Sequence, residues 1–173
     1  ESPVSEGWKP EWTRMHAGGG CVATGLLGST GWAEAQPDEM RTKCVACLNH
    51  DTNDRGYLGL EGSHVLEKFI NGVARDIDDP ETHLSVWKRL QAVTIRFGDA
   101  EAKKDARTRA DLHIGALGSG SDSTPFLQHL GVPSINMGYG GEDDAGIYHS
   151  IYDDFYWYTH FSDTSFVYGR ARA

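Results

Sequence analysis

The stretch that decides the fold is a short apolar segment running directly into a glycine-rich acidic loop, Val132-Pro133-Ser134-Ile135-Asn136-Met137-Gly138-Tyr139-Gly140-Gly141-Glu142-Asp143-Asp144-Ala145-Gly146-Ile147-Tyr148-His149. Residues 132–137 have the length and composition of a strand. Four glycines in the next nine residues predict a loop whose backbone can approach a ligand. Three acids and the following His149 suit a bound divalent cation. A solvated acidic loop with a packed histidine is the alternative.

A second buried strand is predicted at residues 44–48, and it ends in the polar segment His50–Gly56. In α/β sheets, ligands bind outside the carboxyl ends of the strands. We therefore expect His50 and Asp51 to lie at the edge of the sheet that also receives the loop carrying His149.

Helices are predicted around these two strands. They cover residues 29–35, 37–41, 63–77, 84–95 and 125–130, and residues 99–111 are predicted to be a charged, exposed connector. The helix at 63–77 should have Ser63 as its N-cap and an apolar stripe of Leu66, Phe69, Ile70, Val73, Ala74 and Ile77. Alternating strands and helices predict a single α/β domain over residues 1–173. We expect a three-layer sandwich with a mostly parallel central sheet flanked by helices.

Charge and hydropathy exclude several partners. The formal net charge of −9, from 25 acidic and 16 basic residues, argues against nucleic acid and anionic membranes. No apolar run reaches the length of a membrane span, so none is expected. The segment Glu1–Ser5 lacks the pattern of a signal peptide.

Cysteine spacing raises the question of a metal knuckle. Cys44 and Cys47 are followed by His50, and Cys21 is a conceivable fourth ligand. A knuckle needs a turn, whereas the strand predicted here would point residues 44 and 47 to opposite faces. Buried thiols are the preferred interpretation.

Four motifs occur in one order along the chain. They are Gly25-Leu26-Leu27-Gly28-Ser29-Thr30-x-Trp32-Ala33-Glu34, Leu48-Asn49-x-Asp51, Leu117-Gly118-Ser119-Gly120-Ser121-Asp122 and Tyr148-His149-Ser150-x-Tyr152-Asp153. Together they resemble the catalytic domain of the glutamate carboxypeptidase II and transferrin-receptor group of zinc aminopeptidases, from about Gly7 to the C-terminus. The resemblance implies a domain truncated at both ends relative to the family and a secreted or periplasmic location.

The resemblance also implies a set of site residues. Family members bind two zinc ions through two histidines, two aspartates and a glutamate, and a neighbouring glutamate acts as general base on a metal-bound water. By motif, Asp51 matches the second aspartate and His149 the second histidine, on the same zinc. His50, Glu142, Asp143 or Asp144 could add a third ligand, although for Glu142 the preferred interpretation is a solvated loop residue. Tyr148, Ser119, Gly120 and Ser121 match loops that line the substrate cleft.

Other positions depart from the family pattern. The first histidine and the bridging aspartate of the family fall upstream of the matched region. Val22 stands where the family has its general base, and Ala23 where it has the zinc-binding glutamate. We therefore expect one weakly held zinc ion at most, or none.

Three functions follow as alternatives. The first is a remnant hydrolase acting on small peptide, amide or ester substrates. The second is a catalytically inactive, protease-like binding domain that forms homo-oligomers. The third is a metal-independent serine hydrolase in which His149 acts on Ser119 or Ser121, although no Gly-x-Ser-x-Gly motif is present.

Overall fold

A three-stranded sheet with helices around it forms the centre of the computed structural model, which describes residues 11, 13–15, 25–142 and 147–168. The helices are α1 (Leu27–Ala35), α2 (Pro37–Lys43), α3 (Glu67–Asp76), α4 (Val86–Phe97), α5 (Ala100–Thr108) and α6 (Phe155–Trp157). The strands are β1 (Cys47–Asn49), β2 (Gly56–Gly62) and β3 (Ser134–Gly141). A 3₁₀ turn covers His64–Leu66, and π-helical turns cover Pro125–His129 and Tyr158–Ser162. The α/β class predicted from the sequence is confirmed.

The sheet has the order β1-β3-β2 and is mixed. β1 pairs with β3 in parallel, as expected, whereas β2 pairs with β3 antiparallel. The physical reason lies in the connection 50–55, because a parallel crossover needs a dozen or more residues. This short connection instead turns over the end of β3, where the N–H of Asp54 donates to the carbonyl of Tyr139 at 2.9 Å.

The sequence pattern did not reveal β2, because glycine is depleted in ordinary strands. In β2, two glycines stand at positions where a side chain would be strained or would collide with the backbone of β3. Gly56 has a φ of +137°, and a Cβ on Gly62 would lie 2.8 Å from the carbonyl oxygen of Ser134. β2 therefore depends on close backbone approach to its neighbour rather than on side-chain packing alone.

Helices cover both faces of the sheet. On one face, Leu58 and Tyr139 pack with Ala74 of α3 and Trp87 of α4, and Ile135 packs with Ile70 and Ile114. On the other face, Cys47 packs against a cluster from α1, α2 and the turn at Pro125–His129. The members of this second cluster are Ala33, Met40, Phe126, Leu130 and Val132. The layered arrangement agrees with the predicted sandwich.

The strand predicted at residues 44–48 is shorter and less buried than expected. Only Cys47–Asn49 is extended, and Val45 and Leu48 are 64% and 52% exposed. β1 lies at one edge of the described sheet, which explains this exposure. Because Cys44 precedes the strand, it does not follow strand alternation, and both thiols pack against the same helical cluster. The expectation of opposite faces was wrong.

The helix predicted at 63–77 begins later. Ser63 does not cap it, because its Oγ accepts a hydrogen bond from the N–H of Ser134 at 3.0 Å. Of the predicted stripe, Ile70 and Ala74 are buried, whereas Phe69 is 55% exposed. The sheet is narrow, so α3 contacts it along only part of its apolar face.

Two other boundaries differ from the prediction. Residues 99–111 contain α5, whose N-cap Asp99 accepts a hydrogen bond from the N–H of Ala102 at 2.8 Å. Ala106 of α5 is buried, so this segment is not merely an exposed connector.

β3 continues to Gly141 because it pairs with β2, so the first part of the predicted glycine loop is strand. No helix in the described ranges is long and apolar enough to cross a membrane.

A buried charge cluster holds the loop before α4 to the end of β3. Nη1 of Arg89 lies 2.9 Å from Oδ2 of Asp79, whose exposed fraction is 1%. Nη2 of the same arginine lies 2.6 Å from Glu81 and 2.7 Å from Glu142. Asp79 also accepts hydrogen bonds from the backbone of Glu81 and from Thr82. Every charge in this cluster therefore has a direct partner, as burial requires.

We predict that Asp79→Ala lowers the free energy of unfolding by about 3–5 kcal/mol, because it leaves the buried guanidinium of Arg89 short of a partner. Urea denaturation followed by circular dichroism measures the change. Asp38→Ala is the control, because the Asp38 side chain is 99% exposed and lies 3.9 Å from Arg41. Equal midpoints for the two variants would contradict the prediction.

Stability should also fall in acid. Burial alone would raise the pKa of Asp79, but hydrogen bonds from Arg89, Thr82 and Glu81 outweigh it, so the pKa is lowered. A carboxylate with a lowered folded-state pKa stabilises the fold above its unfolded-state pKa, and this contribution is lost as the pH falls through the folded-state value. We expect the urea midpoint to drop below about pH 4. The drop should be smaller in Asp79→Asn, and an identical drop in that variant would refute the assignment.

Candidate functional site

Four polar side chains form a hydrogen-bonded row that runs from the carboxyl end of β1 to the first half of β3. Nδ2 of Asn49 donates to Ser121 Oγ at 2.8 Å and to Asn136 Oδ1 at 3.0 Å. Nδ2 of Asn136 donates to Asp51 Oδ2 at 3.0 Å. Asn49 and Asn136 are register partners in the parallel pair, so the topology places them side by side. We call Ser121, Asn49, Asn136 and Asp51 the polar row.

The loop that supplies Ser121 has a defined shape. Gly120 has a φ of +90°, a conformation that glycine adopts without steric cost. The N–H of Thr124 donates to the carbonyl of Ser121 at 2.9 Å, and the buried Ser123 lies 3.3 Å from Ser121 through the two Oγ atoms. Ser119 and Gly120 are exposed beside the polar row. The structure thus brings the loop predicted to line the cleft next to Asp51.

His50 lies next to Asp51 in the chain and contacts β3. Its Nδ1 is 3.2 Å from the carbonyl oxygen of Met137. His50 and Asp51 are both exposed, at the strand edge where the sequence placed them.

His149 has an unusual backbone. Its φ is +60°, a left-handed conformation that is uncommon for a residue other than glycine. The imidazole stacks on the ring of Tyr148 with the centroids 3.9 Å apart, and both residues are exposed. Among the described residues, no hydrogen bond or ion pair joins His149 to Asp51, Ser119 or Ser121. The pairings of His149 required for a shared metal or a serine triad therefore stay predictions.

The described residues do not fit a metal centre of three or more protein ligands. Within residues 11, 13–15, 25–142 and 147–168, no group of three histidine, cysteine, aspartate or glutamate side chains converges. Asp143, Asp144, Val22, Ala23 and Cys21 lie outside the described residues. Glu142 is exposed just after β3, as expected of a loop residue, but its carboxylate also pairs with Arg89 at 2.7 Å and Arg55 at 3.7 Å.

Cysteine chemistry is suppressed at β1. Burial, followed by the neighbouring Cys44 thiol, raises the pKa of Cys47 to about 11. A thiol in this state is protonated at neutral pH, so it is a poor nucleophile and a poor metal ligand.

A groove of about 420 Å³ lies on the sheet face that carries the polar row. Its lining includes Tyr57 and Glu61 of β2, Asn136 of β3, the loop residue Thr52, and the glycines Gly59, Gly138 and Gly140. Sequence reasoning missed this groove. Alternate glycines on β2 and β3 were a usable signal, because glycines opposite one another leave a bare backbone floor.

A mixed α/β sheet with polar side chains at and just beyond the carboxyl end of a parallel strand has the arrangement typical of α/β ligand-binding and enzyme domains. No protein-family model matches the chain. The probable glutamate carboxypeptidase LAMP1 of Arabidopsis thaliana is 32% identical over 162 residues, which are 92% of this chain and 21% of that protein. The probable glutamate carboxypeptidase VP8 of Zea mays is 29% identical over 95% of this chain and 21% of its own length.

The aminopeptidase NAALADL1 of Mus musculus is 26% identical over 92% of this chain and 22% of its own length. These relatives confirm that the chain is related to the glutamate-carboxypeptidase-like family of peptidases. The chain spans about a fifth of the length of the curated relatives it matches.

We predict that Asn136→Leu loosens the Asp51 segment. The change removes the donor to Asp51 and the acceptor for Asn49, and each lost hydrogen bond is worth about 0.5–1.5 kcal/mol. Amide hydrogen exchange measured by mass spectrometry should accelerate roughly several-fold over residues 50–53. Gln128→Leu is the control, because it removes an exposed amide that bonds Gly118 at 3.1 Å. Unchanged exchange at 50–53 would show that the polar row does not hold this segment.

Proposed function

We propose that this chain is a peptidase-like domain that binds a peptide-like ligand along the polar row, and that it does not perform the two-metal hydrolysis of its family by itself. The observation that carries the proposal is the hydrogen-bonded sequence of Ser121, Asn49, Asn136 and Asp51 at the sheet edge. It presents amide donors, amide acceptors, a hydroxyl and an exposed carboxylate within one row, and a peptide backbone needs both donors and acceptors.

The neighbouring loops support a ligand role. Ser119 and Gly120 are exposed beside Ser121, and Tyr148 presents an exposed ring. We assign Tyr148, Ser119, Gly120 and Ser121 to the walls of the ligand cleft. This arrangement resembles the usual form of a peptide site, in which aromatic and small residues surround a few placed polar groups.

In this proposal, the chain has no general base for hydrolysis. By motif, Val22 and Ala23 occupy the two glutamate positions, and neither side chain can accept a proton. The described residues offer no third metal ligand beside Asp51, so we derive no catalytic step through zinc.

A slow hydrolase with one zinc ion is the second candidate. It is favoured by the exposed position of Asp51 and His50 at the strand edge and by the peptidase lineage. Asp51 and His149, with His50 or Asp143, would hold the ion, and small peptides, amides or esters would be the substrates.

Self-association is part of the proposal. Large apolar side chains between residues 148 and 166 are exposed, among them Ile151 at 86% and Phe155 at 72%. Exposed apolar surface of this kind favours interfaces. We propose a homo-oligomer built from a single domain over residues 1–173, in a secreted or periplasmic location. Sedimentation velocity that shows only monomers would contradict the oligomer.

The test uses the blocked neutral tripeptide acetyl-Ala-Gln-Ala-amide. We expect it to bind, as seen by NMR shift changes at residues 49–52 and 136, and to be recovered intact by mass spectrometry. Asp51→Asn should weaken binding about tenfold, because a hydrogen bond to a charged group is lost. Asp38→Asn should leave binding unchanged, because it removes the same charge from the exposed surface of α2.

Two results would overturn this proposal. Absence of any shift change would remove the ligand role. Peptide cleavage, together with about one zinc per chain that is lost in His149→Ala, would establish the single-zinc hydrolase instead. Elemental analysis of protein purified without chelator measures the zinc content.

A further inference from the structure

The groove beside the polar row has a floor of bare backbone. Gly59, Gly138 and Gly140 lie on the same face of β2 and β3, and Gly59 and Gly138 are register partners. A Cβ on Gly140 would meet no atom within 4 Å, and one on Gly59 would meet only the carbonyl oxygen of Gly138 at 3.7 Å. The space above Gly59 and Gly140 is therefore open among the described residues, whereas a Cβ on Gly138 would collide with the carbonyl oxygen of Thr52. A volume of about 420 Å³ is sufficient for a long side chain with its backbone.

One end of the groove is acidic. Glu61 lines it and is the register partner of Asn136, which donates to Asp51 at 3.0 Å. The residues Glu61 and Asp51 thus both neighbour the side-chain amide of Asn136. Within the described parts of the chain, neither Glu61 nor Asp51 has an ion-pair partner, although the same ranges hold several pairs between an arginine and a carboxylate.

Arg89, which contacts a residue of the groove lining, does not neutralise this end. Arg89 approaches the groove through Tyr57, with its guanidinium carbon 4.8 Å from the ring centroid. Its charge is already matched by Asp79, Glu81 and Glu142. A ligand in the groove therefore meets uncompensated negative charge at the Glu61 end.

We propose that this groove binds the positively charged side chain of a basic peptide, with the ammonium or guanidinium group against Glu61. The apolar stem crosses Gly59, where a Cβ would meet only a backbone carbonyl oxygen at 3.7 Å, and passes beside Gly138, which Thr52 covers. The inference rests on the proposed function and deepens it, because it assigns the class of peptide that the polar row would hold. An acidic side chain in the same place would face both Glu61 and Asp51 and is disfavoured.

The experiment compares three blocked tripeptides that differ in the central residue, acetyl-Ala-Lys-Ala-amide, acetyl-Ala-Gln-Ala-amide and acetyl-Ala-Glu-Ala-amide. NMR titration at low salt gives their affinities for the full chain. We expect the lysine peptide to bind about two- to fivefold more tightly than the glutamine peptide, the range for one exposed ion pair, and the glutamate peptide to bind most weakly. The lysine preference should shrink as salt is added.

Substitutions distinguish the contribution of the Glu61 charge from that of the open space in the groove. Glu61→Gln should abolish the preference for the lysine peptide over the glutamine peptide, while Glu61→Arg should make the glutamate peptide the tightest. Glu101→Gln, on the exposed surface of α5, is the charge-matched control and should preserve the preference. Gly59→Val should weaken all three peptides by filling the groove. Circular dichroism checks that this variant folds, and Gly140→Ala is a milder filling variant with no close neighbour.

The outcomes distinguish this inference from the proposed function. Equal affinities for the three peptides, or a lysine preference that survives Glu61→Gln, would overturn the basic groove and leave peptide binding at the polar row intact. Absence of binding by all three peptides would overturn the proposed function, and the inference with it. A lysine preference lost in Glu61→Gln and kept in Glu101→Gln supports the inference.

Discussion

The ion pair between Arg89 and Asp79 is the constraint on which the architecture of the site depends. Both side chains are buried, so neither charge can be left alone without a large desolvation cost. Arg89 stands in α4, Asp79 in the loop before it, and the same guanidinium reaches Glu142 just beyond β3. The central strand of the sheet is thereby attached to the helical layer at its carboxyl end, and the polar row meets the same strand nearer its start, at Asn136.

The pairing of β1 and β2 with β3 determines where the other residues of the site lie. β1 runs parallel to β3, so Asn49 and Asn136 come level, and their amides can bond each other. The connection 50–55 must then cross the end of β3 to begin an antiparallel strand, and this turn carries Asp51 over Asn136. A mostly parallel sheet would have sent the chain away through a long crossover. The antiparallel β2 also supplies the second wall of the groove.

Sequence reasoning located the local parts of this site and missed the parts made by distant pairing. Asp51 and Ser121 were found because strand ends and small-residue loops have local signatures. β2 was missed because its glycines satisfy close contacts to β3 that appear only after folding. Asn136 was quoted as part of a strand without a role, since its partners are Asn49 and Asp51, far away in the chain. Glu142 was placed in solvent because its partner Arg89 is equally remote.

The groups that would bind a peptide in this chain differ chemically from the groups that catalyse hydrolysis in the family. Three members of the polar row are neutral, the amides of Asn49 and Asn136 and the hydroxyl of Ser121, and the fourth, the carboxylate of Asp51, accepts its hydrogen bond from an amide, so no bond in the row requires a metal. The catalytic groups of the family are charged ligands and a base, and their mutual repulsion is tolerable only with cations among them. By motif, Val22 and Ala23 stand at the glutamate positions, and we propose that the polar row keeps its own bonds without those charged groups. A peptide edge can therefore persist without its hydrolytic chemistry, and its selectivity then depends on whichever charges still face the ligand, which on this face of the sheet are Glu61 and Asp51.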